Sequence, residues 1–177
     1  MKMVIETAKK WIGYLEHDHD GLLFVYQANA GKGGYTVFAR IIAEHYRWRN
    51  FQRLPWCAVF VHAVFLMALG KKEARALLGK PHPGTRVLAR RMKQKGRWRN
   101  KDYTPKPGDI IFCSNTQDAL IGHCGIVIDV TDDIVVTIEG NTVDPSGTFG
   151  KDQGGAVAQR ERSKDDPAIV GYADMKG

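Results

Sequence analysis

Residues 54–65, LPWCAVFVHAVF, place one cysteine in front of a nearly unbroken apolar run. Proline suits the first turn of a helix, where no partner for its missing N–H is needed, and Gly70 ends the run. The segment therefore predicts a buried helix that begins near Cys57. Unpaired N–H groups in the first turn of a helix stabilise a thiolate and can bind an oxyanion. Cys57 is thus suited to acyl transfer, although a small buried thiol in a core is an equally good interpretation of this segment.

The rest of the chain divides into a helical part followed by a strand-rich part. Apolar residues recur at helical spacing over residues 3–15, 36–48 and 85–96, with Thr36 as the N-cap candidate of the second segment. After residue 103 come five short strand-like runs, KPGDIIFCS, GHCGIVIDV, DIVVTIEGN, GGAVAQRE and AIVGYAD. This order predicts an α+β fold, in which helices pack against one largely antiparallel sheet of about five strands.

The length and composition are those of one globular domain. The chain has 177 residues, of which 44% are hydrophobic and 25% charged. No apolar run approaches the ~20 residues that span a membrane. Charged residues at positions 6, 9 and 10 interrupt the stretch that a signal peptide would need, so we expect none. The protein would then stay in the cytoplasm, reach its substrate by another route of export or release, or have lost a leader.

The net charge of +7 favours an anionic partner, which could be a cell-wall polymer, a membrane surface or nucleic acid. Arginine and tryptophan alternate in YRWRNFQR (46–53) and GRWRN (96–100), a pattern that could stack on bases. We favour two helix ends with solvated arginines, and therefore expect no nucleic-acid partner. The glycine-rich NAGKGG (29–34) lacks the ending of a phosphate-binding loop.

Three cysteines, Cys57, Cys113 and Cys124, are too few for a disulfide framework in a domain of this size. We expect Cys113 and Cys124 to be core residues. A nucleophilic Cys57 would need a base from the six histidines, and His62 diverges from it on the same helix at ~100° per residue. His123 is the best candidate, because it begins an apolar strand after a glycine and can face a cleft at the end of the sheet.

A base also needs an orienting partner. If residues 123–130 and 134–139 form a hairpin around TDD (131–133), His123 and Glu139 come side by side at its open end. If the second strand continues, Asn141 faces the same way as Glu139. Its amide could then contact either the imidazole or the substrate.

The order WCAVFV, KPGDIIF, GHCGIV, TIEGN, GGAV and IVGY resembles the CHAP family of cysteine- and histidine-dependent amidohydrolases and peptidases, relatives of the papain-like NlpC/P60 group. The resemblance implies a papain-like fold, with Cys57 as nucleophile, His123 as base and acid, and Glu139 as orienter. It also implies Asn141 as a fourth member. Weaker candidates for the oxyanion or substrate contact are Gln52 and Trp56.

Metal ions are not expected. Some members of the family bind calcium through an Asp-rich loop before the nucleophile, but here that interval is the basic RWRNFQRLPW. The acidic EHDHDG (16–21) comes about forty residues earlier in the chain, lacks EF-hand spacing, and is not joined by a thiol that would suggest zinc. We predict no metal and no other cofactor.

The resemblance implies a peptidoglycan hydrolase that acts as an N-acetylmuramoyl-L-alanine amidase or as an endopeptidase, as a phage or prophage lysin would. The alternatives are a non-catalytic wall-binding or assembly module with this fold, and an amidase for another substrate, such as a delivered toxin. We expect one catalytic domain over residues 1–177, with a helical extension (1–50) and a core (51–177). A monomer is the default expectation.

Overall fold

The computed structural model describes residues 1–21, 33–47, 50–114, 120–145 and 154–176. The helices in these ranges are α1 (Lys2–Lys9), α2 (Val37–Tyr46), α3 (Cys57–Leu78) and α4 (Thr85–Gln94). The strands are β1 (Trp98–Asn100), β2 (Ile110–Ser114), β3 (Ile121–Val130), β4 (Ile134–Thr142), β5 (Ala156–Ser163) and β6 (Ile169–Ala173). They form one antiparallel sheet in the order β1-β6-β2-β3-β4-β5, so the predicted α+β fold is confirmed.

The sheet has one strand more than the sequence predicted. The five strand-like runs are β2 to β6, and the additional strand β1 is the WRN of the GRWRN segment (96–100) that was interpreted as a helix end. That interpretation was wrong: β1 pairs with β6 at the edge of the sheet. Trp98 lies across Gly171, where a Cβ would come within 2.6 Å of the indole, and its ring packs 5.3 Å from that of Phe112. Three residues are too few to show a strand period.

Helix α3 lies at the centre of the core. Residues 57–66 are all buried, because α1, α2, α4 and one face of the sheet surround this half of the helix. A helix enclosed on all sides has no polar face to maintain, which explains its unbroken apolar sequence. On the opposite face of the sheet lies a second, smaller apolar cluster, whose members are Ile111, Cys113, Val127, Val135, Ile169 and Tyr172.

Glycine determines where the apolar half of α3 ends. Gly70 has φ 80° and ψ 166°, so the helix breaks there before continuing to Leu78. The predicted end of the apolar run at Gly70 is therefore confirmed. Within the described ranges, no helix is both long enough and apolar enough to cross a membrane.

The N-terminal helices agree only partly with the prediction. The Thr36 hydroxyl accepts a hydrogen bond from the Ala39 N–H at 3.1 Å, which confirms the predicted N-cap of α2. Helix α1 ends at Lys9, well before the predicted residue 15, and Leu15 forms a β-bridge with Ala156 instead. Residues 29–32 of the glycine-rich loop and residues 48–49 of the arginine–tryptophan segment lie outside the described residues.

Candidate active site

The first turn of α3 is fixed by the residue that precedes it. Trp56 is the N-cap and accepts the Phe60 N–H on its carbonyl at 2.8 Å. Its indole is 1% exposed, stacks on Phe38, and donates its N–H to Glu16 Oε2 at 2.6 Å. Trp56 therefore anchors the start of the helix within the core, and its predicted contact with the oxyanion or the substrate stays a prediction.

Strand β4 runs close against this first turn. A Cβ on Gly140 would lie 2.5 Å from Phe60 Cβ and 2.7 Å from the Trp56 ring, so only glycine allows so close an approach. Strands β3 and β4 are paired from their turn as far as Ile126 and Ile138. Beyond that last pair, the start of β3 meets the beginning of α3.

Cys57 meets two neighbouring side chains of β3 and one of α4. Its Sγ lies 3.4 Å from Thr85 Oγ1, and Cys124 and His123 lie close enough to lower its pKa through hydrogen bonding. The structure thus brings together Cys57 and His123, which lie 66 positions apart in the chain. Thr85 and Cys124 were not among the predicted site residues; Thr85 had no sequence signal, and Cys124 was interpreted only as core.

Glu139 is the third residue of the site, and Cys57, His123 and Glu139 together are called the series below. Its Oε2 lies 2.8 Å from His123 Nε2, and the carboxylate is fully buried. The Glu139 side chain crosses over Gly125, where a Cβ would lie 2.6 Å from Glu139 Cγ. Gly125 is two residues after His123 and on the same face of β3, so its lack of a side chain leaves the path to the imidazole open.

A β-bulge places Glu139 on the correct face of the sheet. Val127 pairs with Thr137, whereas Asp129 pairs with Val136, so β3 has one extra residue between these pairs. In an unbroken register, Glu139 would lie opposite Ile126 and would point toward the helices. A shift of one residue transfers a side chain to the other face, which here is the face of His123.

Four more hydrogen bonds, from Thr137 and Arg162, hold the Glu139 carboxylate. Thr137 Oγ1 donates to Oε1 at 2.8 Å, and Arg162 Nε and Nη2 each donate to Oε1 at 3.1 Å. Arg162 Nη2 also lies 3.1 Å from Oε2. Sequence reasoning missed both Thr137 and Arg162, because each follows from the register of β4 and β5 rather than from a local motif.

The contacts within the series shift the pKa values of all three of its groups. Hydrogen bonding to Cys124, and then to His123, holds the pKa of Cys57 well below its usual value against the effect of burial. Burial disfavours the imidazolium, yet the hydrogen bonds and charges of Cys57 and Glu139 raise the pKa of His123 to about 9. Burial likewise opposes ionisation of Glu139, but His123 and Arg162 lower its pKa to about 2. The directions of these shifts favour a thiolate–imidazolium pair beside an ionised carboxylate near neutral pH.

The other two cysteines are buried, as predicted, and they lie on opposite faces of β2 and β3. Cys124 faces α3, and its hydrogen bond with Cys57 together with burial raises its pKa well above the usual value. Cys113 faces away from the helices, and burial raises its pKa to about 12. Of the three thiols, only Cys57 both begins a helix and interacts with an imidazole, so it is the one best placed to carry a negative charge.

The alternative base on α3, His62, is enclosed in the core. Burial lowers the pKa of His62 to about 3, so its imidazole is neutral at physiological pH. Its Nε2 has no hydrogen-bond partner among the described residues. The His62 side chain therefore packs within the core and does not act on Cys57, in agreement with the predicted divergence of the two side chains around the helix.

Two further candidates lie outside the hydrogen-bonded series. Gln52 receives the Thr36 N–H on Oε1 at 2.7 Å and donates through Nε2 to the Thr36 carbonyl at 2.9 Å, so its amide holds the start of α2. Asn141 has φ 56°, and the register of β4 shifts between Glu139 and Thr142. The strand thus does not continue regularly through Asn141, and in the described residues no hydrogen bond joins it to His123. The roles of Gln52 and Asn141 stay predictions.

A cavity of about 380 Å³ lies beside the series. It is reached between α4 and the start of β3, and its lining is Leu54, Pro55, His82, Pro83, Gly84, Thr85, Arg86, Ile121 and Gly122. Thr85 contacts the thiol, and Gly122 immediately precedes His123. The cavity therefore offers a mostly apolar space next to the thiol, with Arg86 on its wall. The described residues contain no cluster of three or more His, Cys, Asp or Glu side chains that could hold a metal.

Gly125 provides a test of this geometry. Gly125→Ala should destabilise the fold by about 1–3 kcal/mol in urea denaturation, because its Cβ would meet the fully enclosed Glu139 side chain. Displacing Glu139 should also slow alkylation of Cys57 by iodoacetamide at mildly acidic pH by about tenfold.

The matched control for that substitution is Gly96→Ala. Gly96 has φ +68°, and no neighbouring atom lies within 4 Å of the position that a Cβ would take, so alanine there adds only backbone strain of roughly 1 kcal/mol. Alkylation of Cys57 should be unaffected. Equal alkylation profiles for the Gly125 and Gly96 variants would contradict the placement of Glu139 over Gly125.

Together, the fold and the site describe the class of papain-like cysteine- and histidine-dependent amidohydrolases and peptidases. The family model described as "CHAP domain" matches residues 48–141, which is just over half of the 177 residues. The chain therefore belongs to the CHAP domain family of cysteine- and histidine-dependent amidohydrolases and peptidases. No curated protein sequence matches the chain.

A solved structure supports the same fold. The crystal structure of Ly7917 matches with a TM-score of 0.54 at 11% sequence identity, over 98% of this chain and 61% of the other. The chain thus spans less than two thirds of the length of that protein. At this identity, the similarity concerns the fold alone.

Proposed function

We propose that this chain is a cysteine peptidoglycan hydrolase, which cleaves amide bonds of the cell wall through a thiol acyl-enzyme. The observation that carries the proposal is the hydrogen-bonded series of Cys57, His123 and Glu139 at the first turn of α3. A thiolate beside an imidazolium is the resting state that a cysteine nucleophile needs near neutral pH.

In the proposed reaction, the Cys57 thiolate attacks the carbonyl carbon of the amide. The free backbone N–H groups at the start of α3 stabilise the oxyanion that forms. His123 then donates its proton to the leaving amine, and the thioester remains on Cys57. His123, now neutral, removes a proton from water, which attacks the thioester and releases the acid and the thiolate.

Glu139 orients the imidazole throughout this cycle. Its Oε2 engages Nε2 of His123, so the ring nitrogen that remains for the thiol and the leaving amine is Nδ1. The carboxylate also stabilises the imidazolium, and its burial fixes the position of the ring. Glu139 thus acts on the reaction through His123 and does not need to contact the substrate.

Peptidoglycan is the substrate that best fits the surroundings of the thiol. The net charge of +7 attracts an anionic wall, and the mostly apolar cavity next to Thr85 can accept the short aliphatic side chains of wall peptides. The bond is either the sugar–peptide amide or one within the peptides. A phage or prophage lysin is the biological role that we propose, with residues 1–177 acting as one catalytic domain and a monomer.

Mass spectrometry of digested peptidoglycan tests this proposal. Walls of several peptide chemistries would be incubated with the reduced protein, and in parallel with protein whose thiol has been blocked by iodoacetamide. We expect new fragments from the unblocked protein only, and their new termini identify the bond. If folded protein with an alkylatable Cys57 releases no fragment from any wall, the substrate is another amide or the chain is a binding module.

A further inference from the structure

Arg162 of β5 lies deep in the face of the sheet that carries Glu139. Its side chain is 15% exposed, and its planar guanidinium meets the carboxylate with two nitrogens, Nε and Nη2, each at 3.1 Å from Oε1. The third nitrogen, Nη1, lies 3.5 Å from Asp166 Oδ2. All the polar edges of this guanidinium are thus directed at carboxylates.

This contact fixes the plane of the Glu139 carboxylate. A guanidinium fork permits only a narrow range of carboxylate orientations, unlike the point charge of a lysine. Thr137 Oγ1 donates to Oε1 from a third direction at 2.8 Å. With Oε1 held in this way, Oε2 is the oxygen that faces His123, and it lies 2.8 Å from Nε2.

The charges alternate in sign along the series and beyond it, through the two residues that follow Glu139 in the network of ion pairs. They run from the thiolate of Cys57 through His123, Glu139 and Arg162 to the carboxylate of Asp166. When His123 gives its proton to the leaving amine, it becomes neutral, and a fully buried Glu139 would then lack a cation on that side. A buried, unpaired carboxylate is costly and would resist this step. Arg162 keeps its charge in both states.

We propose that Arg162 is a positioning residue, which clamps Glu139 so that His123 stays oriented toward Cys57 while its proton is transferred. The inference rests on the proposed roles of Cys57 and His123 in the reaction. It assigns to Arg162 the task of holding Glu139 ionised and in place when His123 is neutral. Arg162 itself touches neither the thiol nor the substrate.

The same strand offers a matched control. Arg160 is two residues earlier, on the same face of β5, and is paired with Thr137 in the register. Its guanidinium donates to the Val143 carbonyl at 3.0 Å rather than to Glu139. Arg160→Met therefore removes an equal charge and volume from the same face without releasing the Glu139 carboxylate.

The test is the pH dependence of Cys57 alkylation by iodoacetamide, measured from about pH 4 to about pH 9 with the modified peptide located by mass. Removing a cation raises the pKa of the neighbouring acids, so Arg162→Met should move the acid limb of the profile upward by about one pH unit. Alkylation on that limb would then be about tenfold slower. Arg162→Lys should move the limb in the same direction but less far, and Arg160→Met should superimpose on the wild type.

A merely structural Arg162 would lower the unfolding midpoint while the alkylation profile of the folded protein stayed unchanged. An Arg162→Met profile that superimposes on the wild type therefore overturns the inference. If Arg162→Met does not fold, Arg162→Lys decides, because a wild-type profile in that variant shows that the fork is not needed.

The substrate assignment fails independently of this inference. If the wild type cleaves no wall but the Arg162 variants shift the alkylation profile, the clamp stands and the proposed substrate is wrong. If walls are cleaved and the profile does not shift, the clamp is wrong and the substrate stands.

Discussion

Replacing Cys57 by alanine is expected to slow hydrolysis of peptidoglycan by about 10,000-fold or more, because removal of a nucleophile from such a series eliminates the covalent route. The fold should persist. The side chain is small, and the Trp56 anchor, the Gly140 contact and the Glu139 network do not depend on the sulfur. The rate would be measured from the release of soluble fragments, and the fold from thermal unfolding.

The control for this substitution is Cys113→Ala. Cys113 is as buried as Cys57, but it faces away from α3, on the face of the sheet that carries Glu139, where it is paired with His123 in the register of β2 and β3. Its removal should cost a little stability and leave the rate within about twofold of the wild type. Substantial hydrolysis by Cys57→Ala, or equal losses in the two variants, would rule out Cys57 as the nucleophile.

Replacing His123 by alanine should cost a comparable factor in hydrolysis, and it should also change the pH dependence of the thiol. In the wild type, the pKa of Cys57 lies well below its usual value, so iodoacetamide should react readily with the thiolate near pH 6. Without the imidazolium, burial raises the pKa of Cys57 again, and alkylation near pH 6 should fall by about 100-fold. The Cys124 hydrogen bond remains and keeps the loss from being larger.

Cys57 and His123 together determine how the rate of hydrolysis depends on pH. The rate should rise as Cys57 ionises and should fall as pH rises through about 9, where His123 loses the proton that the leaving amine needs. The two groups titrate together, so each limb reports the pair rather than one residue. Alkylation needs only the thiolate and should not fall on the alkaline side.

An exposed histidine provides the comparison for His123. His45 lies on the solvent side of α2, and its Nδ1 is 2.9 Å from the Ile41 carbonyl. His45→Ala should match the wild type in both hydrolysis and alkylation. An unchanged alkylation profile in His123→Ala would show that another group ionises Cys57.

The agreement between prediction and structure was best where the local sequence carried a strong signal. The apolar run after Cys57 has no polar face, so it fits only a helix that is enclosed in the core. The run ends at Gly70, because the positive φ of this glycine interrupts the helix. The turn at residues 131–133 brings β3 and β4 together as an antiparallel hairpin, with the Thr131 N–H bonded to the Ile134 carbonyl. These features depend on periodicity and turn chemistry, which neighbouring residues express directly.

The prediction was less complete where long-range contacts decide the outcome. The sequence placed His123 and Glu139 near each other by counting residues from the turn, but it could not locate the bulge between Val127 and Asp129 that sets their common face. Asn141 would face the same way as Glu139 only if the strand continued regularly, and its φ of 56° breaks that continuation. Strand β1 has no period of its own and forms because β6 offers a partner.

From the sequence alone follow the α+β order of the elements, the helix that begins at Cys57, and the choice of His123 and Glu139 as its companions. These features rest on residue types and short-range spacing. Only the tertiary structure shows Thr85, Cys124 and Arg162 around them, because their positions depend on helix packing and strand register between distant segments. The charge state of Cys57 belongs to this second group, since it results from burial and from hydrogen bonds that exist only in the folded chain.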